Sequence, residues 1–453
     1  LLPYQQSDRG PATAVGDINN DGLVDVYFGG SKHIPGEFYL QKNNGFVKSD
    51  IPAILQDSIK EDVEAIMEDL NNDGKTDLFI GSGGADFYYN SKPLLDSYYV
   101  ANDTSFSATE IENYYENASC VKPYDFDKDG DIDLFVGNGS VSKDFGKIPK
   151  SYLLINDHGN LNAIQPELFD ELGMVTDAAW DDYNKDGLID LIVVGEWMEP
   201  VFLKNIGRSF ERDACLGKKL GGLWQTIVPF DIEEDGTTEY ILGNWGLNSK
   251  YKASGSNPLR MYYYDFDKND EAETIIALEK NGAYYPLDGF DMLASQIPNL
   301  RSRYSTYQSF AGQTIEQIFE NDKLEKSVVF EVQELASGYL RKKNGKYDFV
   351  SFPMEMQISP IMAQIKYDFD LDGKEEVLVG GNYFGVQPFH GRFGSFEGAI
   401  IKSDGKILGG NSLGLDLVNL SVRHFSLISL GSKVFLLVTI NNGKAQLYNI
   451  NKK

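Results

Sequence analysis

Short apolar runs closed by glycine recur along the chain: Val26-Tyr-Phe-Gly29, Leu78-Phe-Ile-Gly81, Leu134-Phe-Val-Gly137, Leu191-Ile-Val-Val-Gly195, Tyr240-Ile-Leu-Gly243 and Val377-Leu-Val-Gly380. They are too short for helices, rich in β-branched and aromatic residues, and free of polar alternation. That pattern predicts strands buried on both faces. Shorter strand-like segments precede them, such as Ala12-Thr-Ala-Val15 and Thr226-Ile-Val228. Hairpin-like pairs follow them, such as Phe38-Tyr-Leu40 with Gly45-Phe-Val47, and Ser151–Ile155 with Gly159-Asn-Leu161. The chain reads as all-β.

The rhythm breaks once, between about Ile275 and Pro360. There Phe290, Leu293, Ile297, Leu300 and Tyr304 fall at helical spacing, with Pro298 set to break the run. Thr314 suits the cap of a second short helix that presents Ile315, Ile318 and Phe319 on one face. Strands return at Val328–Val332 and Tyr347–Val350, so residues 286–322 are expected as a helical insertion within one late blade. The last stretch, 421–453, has strand patterns at His424–Ile428, Val434–Val438 and Ala445–Tyr448. It is expected to form a closing blade, completed by the segment near Leu1–Gln6.

Between each short strand and each apolar run lies one polar pattern, D-x-[DN]-x-D-G-x-x-D. Its clear copies open on Asp17, Asp69, Asp125, Asp182 and Asp368, and two looser copies open on Asp231 and Asp265. Starts at 17, 69, 125, 182 and 231 are 49 to 57 residues apart, the length of one four-stranded propeller blade. The expected fold is a single seven-bladed β-propeller over residues 1–453, with the Asp265 loop an outer turn of the preceding blade; counting that loop as a blade of its own gives eight.

The loop has the chemistry of a calcium site. Positions 1, 3 and 5 offer side-chain oxygens around a tight turn, glycine at position 6 allows the reversal, position 7 can offer a carbonyl, and position 9 adds a carboxylate. Ca²⁺ takes six to eight hard oxygen ligands. The candidate ligands are Asp17, Asn19, Asp21, Leu23 and Asp25; Asp69, Asn71, Asp73, Lys75 and Asp77; Asp125, Asp127, Asp129, Asp131 and Asp133; Asp182, Asn184, Asp186, Leu188 and Asp190; and Asp368, Asp370, Asp372, Lys374 and Glu376. An EF-hand would need a glutamate at position 12 between helices. Phe28, Ile80, Val136, Val193 and Val379 stand there instead, inside strands. Five sites are expected. In the looser copies, Glu233 and Glu239 lengthen positions 3 and 9, and Asp270 replaces the glycine, which leaves metal and plain turn equally open.

Composition sharpens this picture. The formal charge is −27, from 68 acidic and 41 basic residues, which disfavours a nucleic-acid partner. Much of the excess sits in the loops, and five divalent ions would bring −27 to −17. Calcium modules of this kind bind in the ~10⁻⁴–10⁻³ M range, so an extracellular or cell-surface location is expected, outer-membrane associated if the source is bacterial. No apolar run reaches the ~20 residues that span a bilayer. The two cysteines, Cys120 and Cys215, and the four histidines, His33, His158, His390 and His424, are scattered and form no zinc or triad motif. Of the tryptophans, Trp180 and Trp224 read as core. Trp197 and Trp245 follow post-strand glycines, where they either pack between blades or stack on a sugar.

Loops and strand-glycine sequels together resemble the FG-GAP/VCBS repeat family, the propeller repeats of integrin α-subunit heads and many bacterial surface proteins. Gly195-Glu-Trp-Met198, Gly243-Asn-Trp-Gly246, Gly381-Asn-Tyr-Phe-Gly385 and Gly391-Arg392 look closest to bacterial VCBS proteins related to the cartilage-acidic-protein group. The resemblance implies calcium between the first two strands of each blade and a role in adhesion, ligand binding or scaffolding. The expected function is therefore a non-enzymatic, calcium-binding surface module that takes a protein or glycan partner, possible as a subunit of an envelope complex. The alternative is a carbohydrate-active enzyme such as a calcium-dependent polysaccharide lyase.

Overall fold

A computed structural model of the chain describes residues 4–43, 45–102 and 105–450. Among them are seven antiparallel sheets in chain order and one further sheet inserted into the fifth. Their first strands are Thr13–Gly16, Glu61–Glu68, Asn117–Tyr124, Met174–Asp181, Thr226–Phe230, Ile361–Tyr367 and Val422–Leu430. Each first strand packs against the first strand of the next sheet, and Val422–Leu430 packs back against Thr13–Gly16. This is a repeat architecture of the β-propeller kind.

The continuous apolar runs are explained by what covers them. Each is the second strand of its sheet, and sheets stack face to face, so both faces are buried. Phe79 and Leu134 are part of a cluster between the second and third sheets, and Phe135 and Leu191 of one between the third and fourth. Such strands have no solvent face to mark with polar residues. Except at Gly195, the glycine closing each run lies against the next sheet. A Cβ on Gly137 would sit 2.6 Å from both Cys120 Sγ and Val175 Cγ1. Cys120 and Cys215 are both free and buried.

Chain ends meet across the last and first sheets. Thr13 Oγ1 donates to Thr439 Oγ1 at 3.0 Å, Asn441 Nδ2 to the Gly10 carbonyl at 2.7 Å, and Arg423 Nε to the Asp8 carbonyl at 2.8 Å. The expectation that the segment near Leu1–Gln6 completes the last blade is corrected. Among the described residues the seventh sheet has three strands. Tyr4 instead bridges Val386 and Gln5 N–H donates to Gly385 O, over the sixth sheet. Leu1–Pro3 and residues 451–453 lie outside the described residues.

The insertion also differs from expectation. The second strand of the fifth sheet, Glu239–Gly243, pairs not with the next strand in sequence but with Gly338–Lys343. Between them lies a complete four-stranded sheet containing Leu259–Tyr264, Glu273–Lys280, Ala283–Pro286 and Val328–Val332. The Asp265 loop belongs to that inserted sheet; it is neither an outer turn of the fifth sheet nor a blade of the series. Short helices between Phe290 and Lys326 cover it, ending four residues beyond the expected limit of 322. Thr314 caps one of them with a reciprocal Gln317 box. Leu293, Ile297, Leu300, Ile315 and Ile318 bury themselves against Phe266 and Ile275.

Because strands alternate in direction, this insertion leaves the sheet at the end opposite the Asp loops. There Tyr4, Phe145, Trp197, Trp245, Tyr251, Tyr383 and Phe393 form one buried aromatic cluster. Trp197 and Trp245, 4% and 2% exposed, are thus packing residues and present no open stacking surface. The first strands also line a polar cavity of about 190 Å³ with Glu64, Lys122, Asp177, Gln364 and Arg423. Lys122 pairs with Asp177 at 2.7 Å, and Arg9 with Glu196 at 2.9 Å.

Candidate metal centres

Each Asp loop joins the first and second strands of its sheet and is built on its own backbone. Asp17 accepts the N–H groups of Asp21 at 3.0 Å and Gly22 at 2.7 Å, and Asp21 accepts that of Leu23 at 3.0 Å. The same bonds recur at Asp69, Asp125, Asp182 and Asp368, with lengths of 2.8–3.1 Å at the first position. At position 5, Asp73, Asp129, Asp186 and Asp372 accept from Lys75, Asp131, Leu188 and Lys374. Position 4 is left-handed in every copy, with φ from 51° at Glu234 to 63° at Lys268. A turn of this kind forms without an ion, since Asx oxygens bond the N–H groups two to five residues on.

Position 9 is what a plain turn does not need. Asp25, Asp77, Asp133 and Asp190 are all 0% exposed. Each accepts a backbone N–H from the third strand: Gln41 at 2.8 Å, Ala101 at 2.7 Å, Asn156 at 2.8 Å and Asn205 at 2.7 Å. Burial pushes the Asp133 and Asp190 carboxyls up to about 6; the backbone N–H bonds oppose this, and the neighbouring loop carboxylates add to it. A buried anion beside other anions is costly unless a cation joins it.

Position 3 supplies the second sign. Ligand oxygens of Asp125, Asp127 and Asp133 lie within 4.8 Å of one another, as do those of Asp265, Asp267 and Glu273, and of Asp368, Asp370 and Glu376. In each trio one position-3 oxygen, Oδ1 of Asp127, Asp267 or Asp370, is buried without a hydrogen-bond partner. Where position 3 is asparagine the loop is quieter. Asn19, Asn71 and Asn184 accept the position-5 N–H at 3.0, 3.0 and 2.8 Å, and Asn184 Nδ2 also donates to Asp190 at 2.9 Å. These donor sets, all hard oxygens with one buried carboxylate, fit a calcium-sized cation.

Position 7 divides. The Asp131 side chain turns away from its own loop and accepts from Asn72 Nδ2 at 2.5 Å and His158 N–H at 2.8 Å. Two features of the loops were not anticipated from the sequence. Position 4 reaches the next loop: Asn20 to Gly74 O at 2.9 Å, Asn72 to Asp131, Lys128 to Gly187 O at 3.4 Å, Lys185 to Gly236 O at 2.7 Å, and Glu234 to Lys374 at 2.6 Å. Its signal was the polar residue at every position 4 except Leu371. The second feature is a lysine, Lys402, whose ammonium lies among the oxygens of the Asp368 loop.

This geometry defines an all-β repeat protein with acidic loops that could hold a cation between the first two strands of every sheet but the seventh. The FG-GAP-like repeat family model matches residues 17–80 and 69–136, so this stretch of the chain carries FG-GAP-like repeats. No curated protein matches. Among solved structures, the biofilm matrix protein Bap1 of V. cholerae is 12% identical over 95% of this chain and 84% of its own, with a TM-score of 0.38. An S. cerevisiae complex of Dbp5 with Nup159 and Gle1 matches at 8% identity over 99% and 92%, again with a TM-score of 0.38. No helix among the described residues is long and apolar enough to cross a membrane.

Proposed function

We propose that the chain is a seven-bladed calcium-binding β-propeller that works by binding, as an adhesion or scaffolding module outside the cell. Support for seven blades comes from the seven first strands that pack in succession and return on themselves. The calcium reading rests on one repeated observation: a fully buried position-9 carboxylate facing a loop of further oxygens, one of them partnerless at Asp127. Calcium at the loops opening on Asp17, Asp69, Asp125 and Asp182 neutralises that anion and ties two strands to one ion. Sites of this type fill at millimolar calcium and stay empty at cytosolic levels, which favours the extracellular side. A partner of protein or glycan class, within an envelope complex, suits a rigid ring of exposed loops.

Calcium titration by calorimetry tests the metal, and a glycan array with pull-down from surface extracts tests the partner. Heat-silent titration of folded protein would overturn the metal reading. Release of unsaturated uronic ends from acidic polysaccharides would replace binding with a lyase activity.

A further inference from the structure

One register position distinguishes the loops by the side chain it aims at them, although Lys42, two residues beyond it in the first sheet, also reaches Asp21 Oδ2 at 3.5 Å. In an antiparallel pair, residues directly opposite share a face with their Cβ atoms about 5 Å apart. Position 9 begins the second strand, so the third-strand residue opposite it is aimed at the loop. Glu376 lies opposite Lys402. Continuing the register by one residue in the other sheets places Leu40 opposite Asp25, Val100 opposite Asp77, Ile155 opposite Asp133, Lys204 opposite Asp190 and Arg341 opposite Glu239. The first three sheets therefore present an apolar side chain to the loop, and the next three a cation.

These cations engage to different degrees. Lys204 touches one carboxylate, Asp186, at 3.0 Å, and Arg341 touches one, Glu233, at 3.1 Å; both side chains are 40% exposed. Lys402 is 22% exposed and reaches three ligand positions: Asp370 Oδ2 at 2.8 Å, Glu376 Oε1 at 2.9 Å and Asp372 Oδ2 at 3.9 Å. We propose that Lys402 is the resident cation of the sixth sheet's loop, taking the place calcium takes in the first three sheets, so that this loop is held without metal. The inference rests on the calcium reading of the other loops.

The ammonium is tethered, so it competes with calcium at a high effective concentration. An entering ion has to break two charge-assisted hydrogen bonds and leave the lysine unpaired. Affinity at this loop should accordingly be on the order of 100-fold weaker than at the Asp125 loop. Lys402 leaves one oxygen, Asp370 Oδ1, without a partner. That oxygen becomes available to an ion once the lysine is removed.

Native mass spectrometry and calorimetry with calcium chloride give the number of ions per folded chain. Lys402→Met should gain one calcium over the wild type, and should melt lower in EDTA because two carboxylates lose their partner. Asp370→Ala in the wild-type background should leave the calcium count unchanged, whereas Asp127→Ala should lose one. A count that falls by one in Asp370→Ala, or a folded Lys402→Met with no added ion, overturns the proposal. A wild type that binds no calcium while Lys402→Met binds one would sink the calcium reading of the other loops and leave this inference standing.

Discussion

Asp127→Ala separates a metal loop from a plain turn, because it should act with opposite sign in the presence and absence of calcium. In the third sheet's loop, ligand oxygens of Asp125, Asp127 and Asp133 crowd within 4.8 Å. Two unit charges at that distance repel by ~1 kcal/mol at a water-like dielectric and ~3.5 kcal/mol at an effective value of 20. Truncating Asp127 to alanine removes that repulsion together with a ligand oxygen that makes no hydrogen bond, so in EDTA the variant should be more stable than the wild type by about 1–3 kcal/mol. Calcium stabilises the wild type by RT ln(1 + [Ca]/Kd) per site, about 1–2 kcal/mol at about 5 mM for a Kd of ~10⁻⁴–10⁻³ M. The variant loses that gain. In a chain of this length each kcal/mol moves the melting point by roughly 1–2 °C. Paired thermal melts of both proteins, with EDTA and with calcium, should show a wild-type calcium shift about 1–4 °C larger than the variant's. An equal shift in both, or a variant less stable than wild type in EDTA, refutes the account.

Two further outcomes follow from packing and burial. Asp96 is 2% exposed, and burial pushes its carboxyl up to about 7 from 3.8 against bonds from Tyr152 and the Ser82 N–H. The folded state therefore holds this proton where the unfolded chain has released it, so wild-type stability falls as pH rises from about 4 to about 7. That shift amounts to at most about 4 kcal/mol. Asp96→Asn should lack the slope, so its melting point gains on wild type up to pH 7 and then runs parallel; a gap independent of pH would contradict this. Gly137→Ala should cost about 1–3 kcal/mol in denaturant melts, since its Cβ would meet Cys120 and Val175 at 2.6 Å. Gly255→Ala, with no neighbour within 4 Å, should stay within about 0.5 kcal/mol, and equal costs at the two positions would count against close sheet packing at Gly137.

What could be read in advance was whatever a short window encodes. An Asp–Gly turn followed by an unbroken apolar run specifies a hairpin whose second strand has no wet face. Every loop from Asp17 to Asp368 does join two such strands. The Asp265 loop satisfies the same window, and for that reason its sheet could not be told from one of the series. Its displacement is recorded only in the pairing of Tyr240 with Leu340, one hundred residues apart in sequence. Trp245 and Tyr383 face the same difficulty: the cluster that buries them draws on the N-terminal segment, the third sheet's loop and the insertion.

The same limit governs the chemistry. A carboxylate at position 9 announces that a cation is wanted, since the strand that carries it is buried at Asp25, Asp77, Asp133, Asp190 and Glu376 alike. It does not say whether that cation arrives from solvent or from the chain. The answer lies one strand away, in a residue whose distance along the sequence varies with the connection: 15 residues from Asp25 to Leu40, but 26 from Glu376 to Lys402. Once pairing fixes that neighbour, five loops of nearly one sequence separate into those facing leucine, valine or isoleucine and those facing lysine. If calcium fills the other loops as proposed, Lys402 alone replaces it, since Lys204 stops at Asp186. Need for an external ion is then a property of the strand pair, and the Asp loop by itself carries only half of it.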